Sequence, residues 1–342
     1  MIRKLLTACV KAKASDLHLS SGCKAKLRID GDLADYEPSP MLDDNMIYQM
    51  LLEIMTEDQK KELIETFECD FSIDDDANDS RFRANAFFHN RGYGAVFRRL
   101  ENEIPTLKQL GAPKVLDGVQ AKKGGLILVT GPTGSGKSST LAALVNKLNM
   151  DEDVHILTIE DPVEFVHVSK KALINQREVK RDTKSFNHAL KSALREDPDV
   201  ILVGEMRDLE TIKLALEAAE TGHLVLGTLH TMSAIKTIDR VISVFPPAEQ
   251  ELVRNMLAES LQIVISQRLL KRKGGGRCAA YEVLLSNSGV RNMIKENKLA
   301  QIYTAIQTSR SQGMITMDQS VENLFKAGTI TSEEGSKYIS AR

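Results

Sequence analysis

Leu126-Ile127-Leu128-Val129-Thr130-Gly131-Pro132-Thr133-Gly134-Ser135-Gly136-Lys137-Ser138-Ser139 decides the reading of this 342-residue chain. Its first four residues are an apolar run too short for a helix, and Gly131 ends it. Gly131 to Ser138 fits G-x-x-x-x-G-K-[ST], and a helical pattern, Leu141 to Leu148, follows. A strand that enters such a loop and leaves it as a helix is the context this pattern requires. The glycines let the backbone wrap close to phosphate groups and turn its N–H groups inward. The helix N-terminus adds a field that favours anions. Gly131, Pro132, Thr133, Gly134, Ser135, Gly136, Lys137, Ser138 and Ser139 therefore form a candidate ATP cradle. In it Lys137 neutralises the β- and γ-phosphates and the Ser138 hydroxyl ligates Mg²⁺.

Outward from this loop, strands alternate with helices. Val154 to Ile159, Val200 to Val203 and Leu224 to Leu229 repeat the short apolar run. Between them, Phe186, Ala189, Leu190, Ala193 and Leu194 form one helical stripe. Leu209, Ile212, Leu216 and Ala219 form another, capped by Asp208. Continuous apolar strands with helical crossovers predict an α/β unit, its parallel sheet covered on both faces. From about Pro246 the chain reads as helical, with Val253, Met256, Leu257, Leu261 and Val264 on one face.

Hydrolysis needs more than a phosphate loop: something must hold the metal and something must orient water. Gly204-Glu205 follows the strand at 200–203, a Walker B shape with glutamate for the usual aspartate. Glu160-Asp161-Pro162-Val163-Glu164 follows Ile159, and its three carboxylates are expected at the carboxyl edge of the sheet, where open α/β sheets bind ligands. His223 and His230 flank the strand at 224–229, which suggests sensing of the γ-phosphate. We read Glu164 as the base that orients water and Glu205 as the Mg²⁺ partner, through water. The sequence does not order the two, and exchanged roles stay open.

The first hundred residues read as a separate α+β unit. Leu5, Cys9 and Val10 stripe a first helix, and Ser15 to Leu19 alternates as a strand does. Lys26 to Ile29 runs into the turn pair Asp30-Gly31, and Met46 to Phe67 reads as one or two helices. Ile73 to Asp79 is expected as an exposed acidic turn. Arg81 to Phe88 and Gly94 to Leu100 flank the turn cluster His89-Asn90-Arg91-Gly92, so Arg83 and Arg98 fall opposite each other in a regular hairpin. Like charges so placed repel. They call for an anion or an acidic neighbour; a phosphate and a solvated, splayed pair both remain open here. Residues 101–123, with Pro105, Gly111, Pro113 and Gly118, read as a linker with one short helix.

Composition narrows the class. Lys+Arg 45 against Asp+Glu 47 leaves a net charge of -2, so the chain is no wholesale nucleic-acid coat. The basic cluster Lys271-Arg272-Lys273 precedes three glycines and reads as a solvated loop. No apolar run approaches the roughly 20 residues that span a bilayer, and a cytoplasmic location is expected. Cys9, Cys23, Cys69 and Cys278 are too far apart in sequence for a C-x-x-C knuckle.

The ordered motif set resembles the secretion ATPase superfamily, and within it the type IV pilus retraction ATPases, the PilT family. The resemblance rests on Ala14-Ser15-Asp16-Leu17-His18-Leu19, the phosphate loop, Glu160 to Phe165, Arg195-Glu196-Asp197-Pro198-Asp199 leading to Gly204-Glu205-Met206-Arg207-Asp208, and Thr221-Gly222-His223 with Thr228-Leu229-His230. Gly289-Val290-Arg291-Asn292-Met293-Ile294-Lys295-Glu296 is similar to that family's C-terminal A-I-R-N-L-I-R-E motif, with Gly289 the largest departure. The tetracysteine zinc module of the pilus-assembly and type II secretion ATPases has no match. The resemblance implies a PAS-like domain at 1–100 and a RecA-like ATPase domain with a helical C-terminal part at 124–342, assembled as a homohexamer. It implies that Arg83, Arg98 and Arg195 reach the nucleotide beside Glu164, Glu205 and His230. It further implies retraction of pili at the cytoplasmic face of the inner membrane, on a pilus platform protein and beside a second retraction ATPase. Nucleic acid is not expected as a partner, and membrane contact only through partners. A related secretion motor or a DNA-processing RecA-like motor is the alternative.

Overall fold

The computed structural model describes residues 1–29, 31–78, 80–100, 103–121 and 124–338. Asp30, Asp79 and the ends of the expected linker lie outside the described residues. The chain divides into two compact units, Met1–Glu103 and Ile104–Arg342.

The first unit runs α1 (Ile2–Lys11), β1 (Asp16–Ser20), β2 (Lys26–Ile29), β3 (Asp32–Asp35), α2 (Asp44–Ile54), α3 (Glu57–Thr66), β4 (Glu68–Asp75), β5 (Ser80–His89) and β6 (Gly92–Leu100). Its antiparallel sheet has the order β3-β2-β1-β6-β5-β4. Helix starts are set locally. The Asp43 carboxylate caps α2 through the Met46 N–H, and a reciprocal Thr56/Gln59 capping box starts α3. The two helices between Met46 and Phe67 therefore break at Met55, whose backbone is extended. One sheet face, with Leu17, Phe97, Ala84 and Phe71 in a cross-strand row, is buried with α1 and α2 residues Leu6, Ile47 and Leu51. The acidic turn differs from expectation. Ile73 and Asp75 belong to β4 and are buried, Asp75 accepting from the Asn78 amide at 2.7 Å.

The second unit adds β7 (Gly125–Thr130), α4 (Lys137–Asp151), β8 (His155–Glu160), β9 (Leu173–Glu178), α5 (Phe186–Ala193), β10 (Val200–Val203), α6 (Leu209–Glu220), β11 (Leu224–Leu229), α7 (Ala234–Ser243), α8 (Gln250–Ser260), β12 (Leu261–Lys271), β13 (Arg277–Leu285), α9 (Ser288–Lys295), α10 (Ala300–Thr308), α11 (Met317–Lys326) and α12 (Ser332–Ser336). The sheet order is β13-β12-β7-β11-β10-β8-β9, all parallel except β13. Helix α4 packs on one face, and α5, α6 and α8 on the other.

Two expectations are corrected here. The expected linker does carry one short helix, the 3₁₀ segment Lys114–Ala121, but from Ile104 it belongs to the second unit, with Leu107, Leu116 and Val119 buried with α4 in its core. Their apolar side chains outweigh the Pro and Gly signals. The C-terminal part is not wholly helical either. Leu261 and Val264 continue the helical spacing of Val253 and Leu257 by four residues and then three, but α8 ends at Ser260 and the backbone of Leu261 is extended. The β-branched run Ile263-Val264-Ile265 instead forms β12 beside β7. Lys271-Arg272-Lys273 then sits, exposed, where β12 turns into β13.

Candidate active site

The phosphate loop leaves β7 at Gly131 and enters α4 at Lys137. Gly131, Gly134 and Gly136 all have positive φ, at 146°, 76° and 87°. A Cβ on Gly131 would lie 2.3 Å from the Gln267 carbonyl oxygen, so glycine is required there by space as well as by backbone angle. Lys137 reaches back over the loop, its Nζ donating to Gly131 O at 2.9 Å and Pro132 O at 3.1 Å. Burial holds the Lys137 ammonium below its ordinary pKa, against the opposing charges of Glu205 and then Glu164. Those couplings bring both glutamates into the electrostatic reach of the loop.

Glu205 follows β10, beside the end of β11. The strand ends are tied together: Thr228 donates its hydroxyl to Gly204 O, and the Met206 N–H donates to Thr228 O at 3.0 Å. Glu205 Oε1 meets His230 Nε2 at 3.0 Å and Arg207 Nε at 2.5 Å. Burial alone would raise the Glu205 pKa, but the Arg207 hydrogen bond and the Arg207 and His230 charges carry it below the usual value. It is thus an ionised carboxylate at neutral pH. Glu160 behaves differently. It accepts from the Thr158 hydroxyl at 2.7 Å and the Gln176 amide at 3.3 Å, and burial pushes its pKa up to about 7. Of the three expected carboxylates, Glu160 is folded back onto the strands, Asp161 is exposed and Glu164 is half-buried.

The donor chemistry fits Mg²⁺, which takes one or two protein oxygens and completes its shell with water and phosphate. Ser138 and Glu205 supply such oxygens. Among the described residues no cluster of three or more His, Cys, Asp or Glu forms a metal cage.

The structure splits the two histidines. His230 stands with Glu205 at the carboxyl edge, whereas His223 precedes β11 at the opposite edge. There its ring Nδ1 meets Ala218 O at 3.0 Å and Thr221 Oγ1 at 3.2 Å, which is a capping role after α6 and corrects the expectation of sensing for His223. Arg195 is exposed in the turn between α5 and β10, ahead of the strand whose far end carries Glu205. Within one chain it is not joined to the loop. Arg83 and Arg98 belong to the first unit and are paired in register, as the hairpin predicts. The acidic neighbour is Asp16 on β1, whose Oδ1 accepts from Arg98 Nε at 2.9 Å. Asp16 also registers with Arg28, so one row across the sheet reads Arg28, Asp16, Arg98, Arg83. Gln267 was not legible as a site residue. It lies in an apolar strand, and only the fold brings it under the loop, its Nε2 donating to Ser135 O at 2.7 Å.

Residues 1–275 match the family model described as Type II/IV secretion system protein. The chain is 55% identical over 332 residues to the type IV pilus retraction ATPase PilT of Pseudomonas aeruginosa, covering 97% of this chain and 96% of that one. It is 52% identical over 312 residues to a twitching motility protein of Neisseria gonorrhoeae, covering 91% and 83%. A crystal structure of the pilus retraction motor PilT with bound ADP superposes with a TM-score of 0.93 at 46% identity, over 99% of this chain and 97% of that one. By sequence and by fold, this chain belongs to the type II/IV secretion system protein family.

Proposed function

We propose that this chain is an ATPase that drives type IV pilus retraction. The observation that carries the reading is the phosphate loop on β7 with Lys137 under the charges of Glu205 and Glu164, in a chain that matches a retraction ATPase over nearly the full length of both. The loop N–H groups and Lys137 bind the β- and γ-phosphates. Ser138 and, through water, Glu205 hold Mg²⁺, which when bound neutralises developing phosphate charge. Glu164 orients the attacking water and takes its proton. His230 holds the Glu205 carboxylate in place and reports the γ-phosphate through it. Arg83, Arg98 and Arg195 bring positive charge to the transferring phosphoryl group, Arg195 from a neighbouring subunit of a homohexamer. The ring works on a pilus platform protein at the cytoplasmic face of the inner membrane, beside a second retraction ATPase. Among the described residues no helix is long and apolar enough to cross a membrane.

The test has two parts. The purified chain should hydrolyse ATP in a Mg²⁺-dependent manner. Cells lacking it should carry surface pili yet fail to twitch, and the wild-type copy should restore twitching. Loss of pili in the deletion strain would point to assembly instead, and an inactive pure chain would remove the ATPase reading.

A further inference from the structure

Gln267 stands on β12, 2% exposed, under the phosphate loop. Its Nε2 donates to Ser135 O at 2.7 Å, and its Oε1 accepts from the Thr140 hydroxyl at 2.9 Å. A carbonyl oxygen only accepts, so the amide has one workable orientation; turned over, it would set oxygen against oxygen. The same residue forms the floor on which the loop glycines rest. A Cβ on Gly136 would lie 2.8 Å from Gln267 Nε2, and one on Gly131 2.3 Å from Gln267 O.

In a trans peptide the C=O and the following N–H point in opposite directions. Drawing Ser135 O toward Gln267 therefore turns the Gly136 N–H away from it, to the open side of the loop. We infer that Gln267 is a positioning residue of the nucleotide site, fixing the Ser135–Gly136 peptide so that its N–H is presented to phosphate before nucleotide arrives. Thr140, on α4, locks the amide in that orientation. The inference rests on the ATPase reading above and extends it to a strand that carries no part of the motif set. Preorganised donors bind without the cost of ordering the loop, so the effect falls on affinity.

The experiment measures KM and kcat for ATP, and the affinity for ADP, on the full chain and on Gln267→Ala, Thr140→Val, Thr140→Ser and the Gln267→Ala/Thr140→Val double variant. Gln267→Ala should raise KM and weaken ADP binding about tenfold, the worth of one buried hydrogen bond, with kcat at saturation within about threefold of wild type. Thr140→Val keeps the volume and should give part of that rise, whereas Thr140→Ser keeps the hydroxyl and should reverse it. The double variant should be no weaker than Gln267→Ala alone, since both changes act through one amide. An unchanged KM in Gln267→Ala, or an additive double variant, overturns the inference. If Gln267→Ala does not fold, wild-type affinity in Thr140→Val overturns it. A wild-type chain without ATPase activity would instead strike the functional reading, and the ADP affinities would still test Gln267.

Discussion

Glu160→Gln should make the protein more stable at pH 8 and leave it unchanged near pH 4. The carboxyl at the end of β8 has its pKa pushed from 4.5 to about 7, chiefly by burial, with the Glu164 charge adding to it. Below about 4.5 the carboxyl is protonated in both folded and unfolded chains. Between 4.5 and 7 the folded chain keeps a proton that the unfolded chain has released, so stability falls as pH rises through this window and levels off above it. At about 1.36 kcal/mol per pH unit, the full span is worth about 3 kcal/mol. Glutamine retains the oxygen that accepts from Thr158 and Gln176 but never ionises, so it recovers that loss. For a unit of this size about 3 kcal/mol is roughly 6–12 °C in Tm. Thermal melts of both chains from pH 4 to 8.5 read it directly. Parallel curves, or a variant less stable than wild type at pH 8, would refute the reasoning that a buried, crowded carboxylate strains the fold.

Lys137→Ala should abolish ATP turnover and leave the assembly state of the wild-type chain unchanged, because the ammonium meets the loop carbonyls under the charges of Glu205 and Glu164; near-wild-type ATPase activity, with the same assembly state by light scattering, would contradict the site. Glu164→Gln should retain ATP binding and lose hydrolysis by about a hundredfold or more, as expected when a general base is removed, and Glu205→Gln should shift the Mg²⁺ dependence instead. ATPase rates titrated with Mg²⁺ decide between them, and the reverse pattern exchanges their roles. Replacing both Arg291 and Asn292 with Ala should leave ATPase activity largely intact and stop twitching, since both lie on the surface helix α9, where Arg291 meets Ser286 Oγ at 3.4 Å and Asn292 meets Glu296 Oε1 at 3.1 Å. Normal twitching would reduce these contacts to helix packing.

Local signals carried much of the second unit. The phosphate loop, the apolar runs of β7, β8, β10 and β11, and the Asp208 cap of α6 are written in consecutive residues. The Arg83–Arg98 register followed from hairpin symmetry alone. What failed depends on distant residues. Leu261 and Val264 fit the helical face of α8 as well as they fit a strand, and only pairing with β7 decides between the two. Glu160 is an ordinary strand-end acid until Thr158 and Gln176 close over it. His223 and His230 look equivalent around β11, yet a parallel strand sends its two ends to opposite edges of the sheet.

The brace beneath the phosphate loop also sets an order of events during synthesis. Ser135 and Gln267 are 132 residues apart in the chain. At about 5–20 residues per second, on the order of ten seconds pass between the emergence of the loop and that of its brace. During that interval β7 lacks the β12 neighbour, and its edge is open to pairing with other nascent chains. Until β12 has been made and seated the loop lacks this brace, so nucleotide meets the preorganised cradle only once that strand is in place.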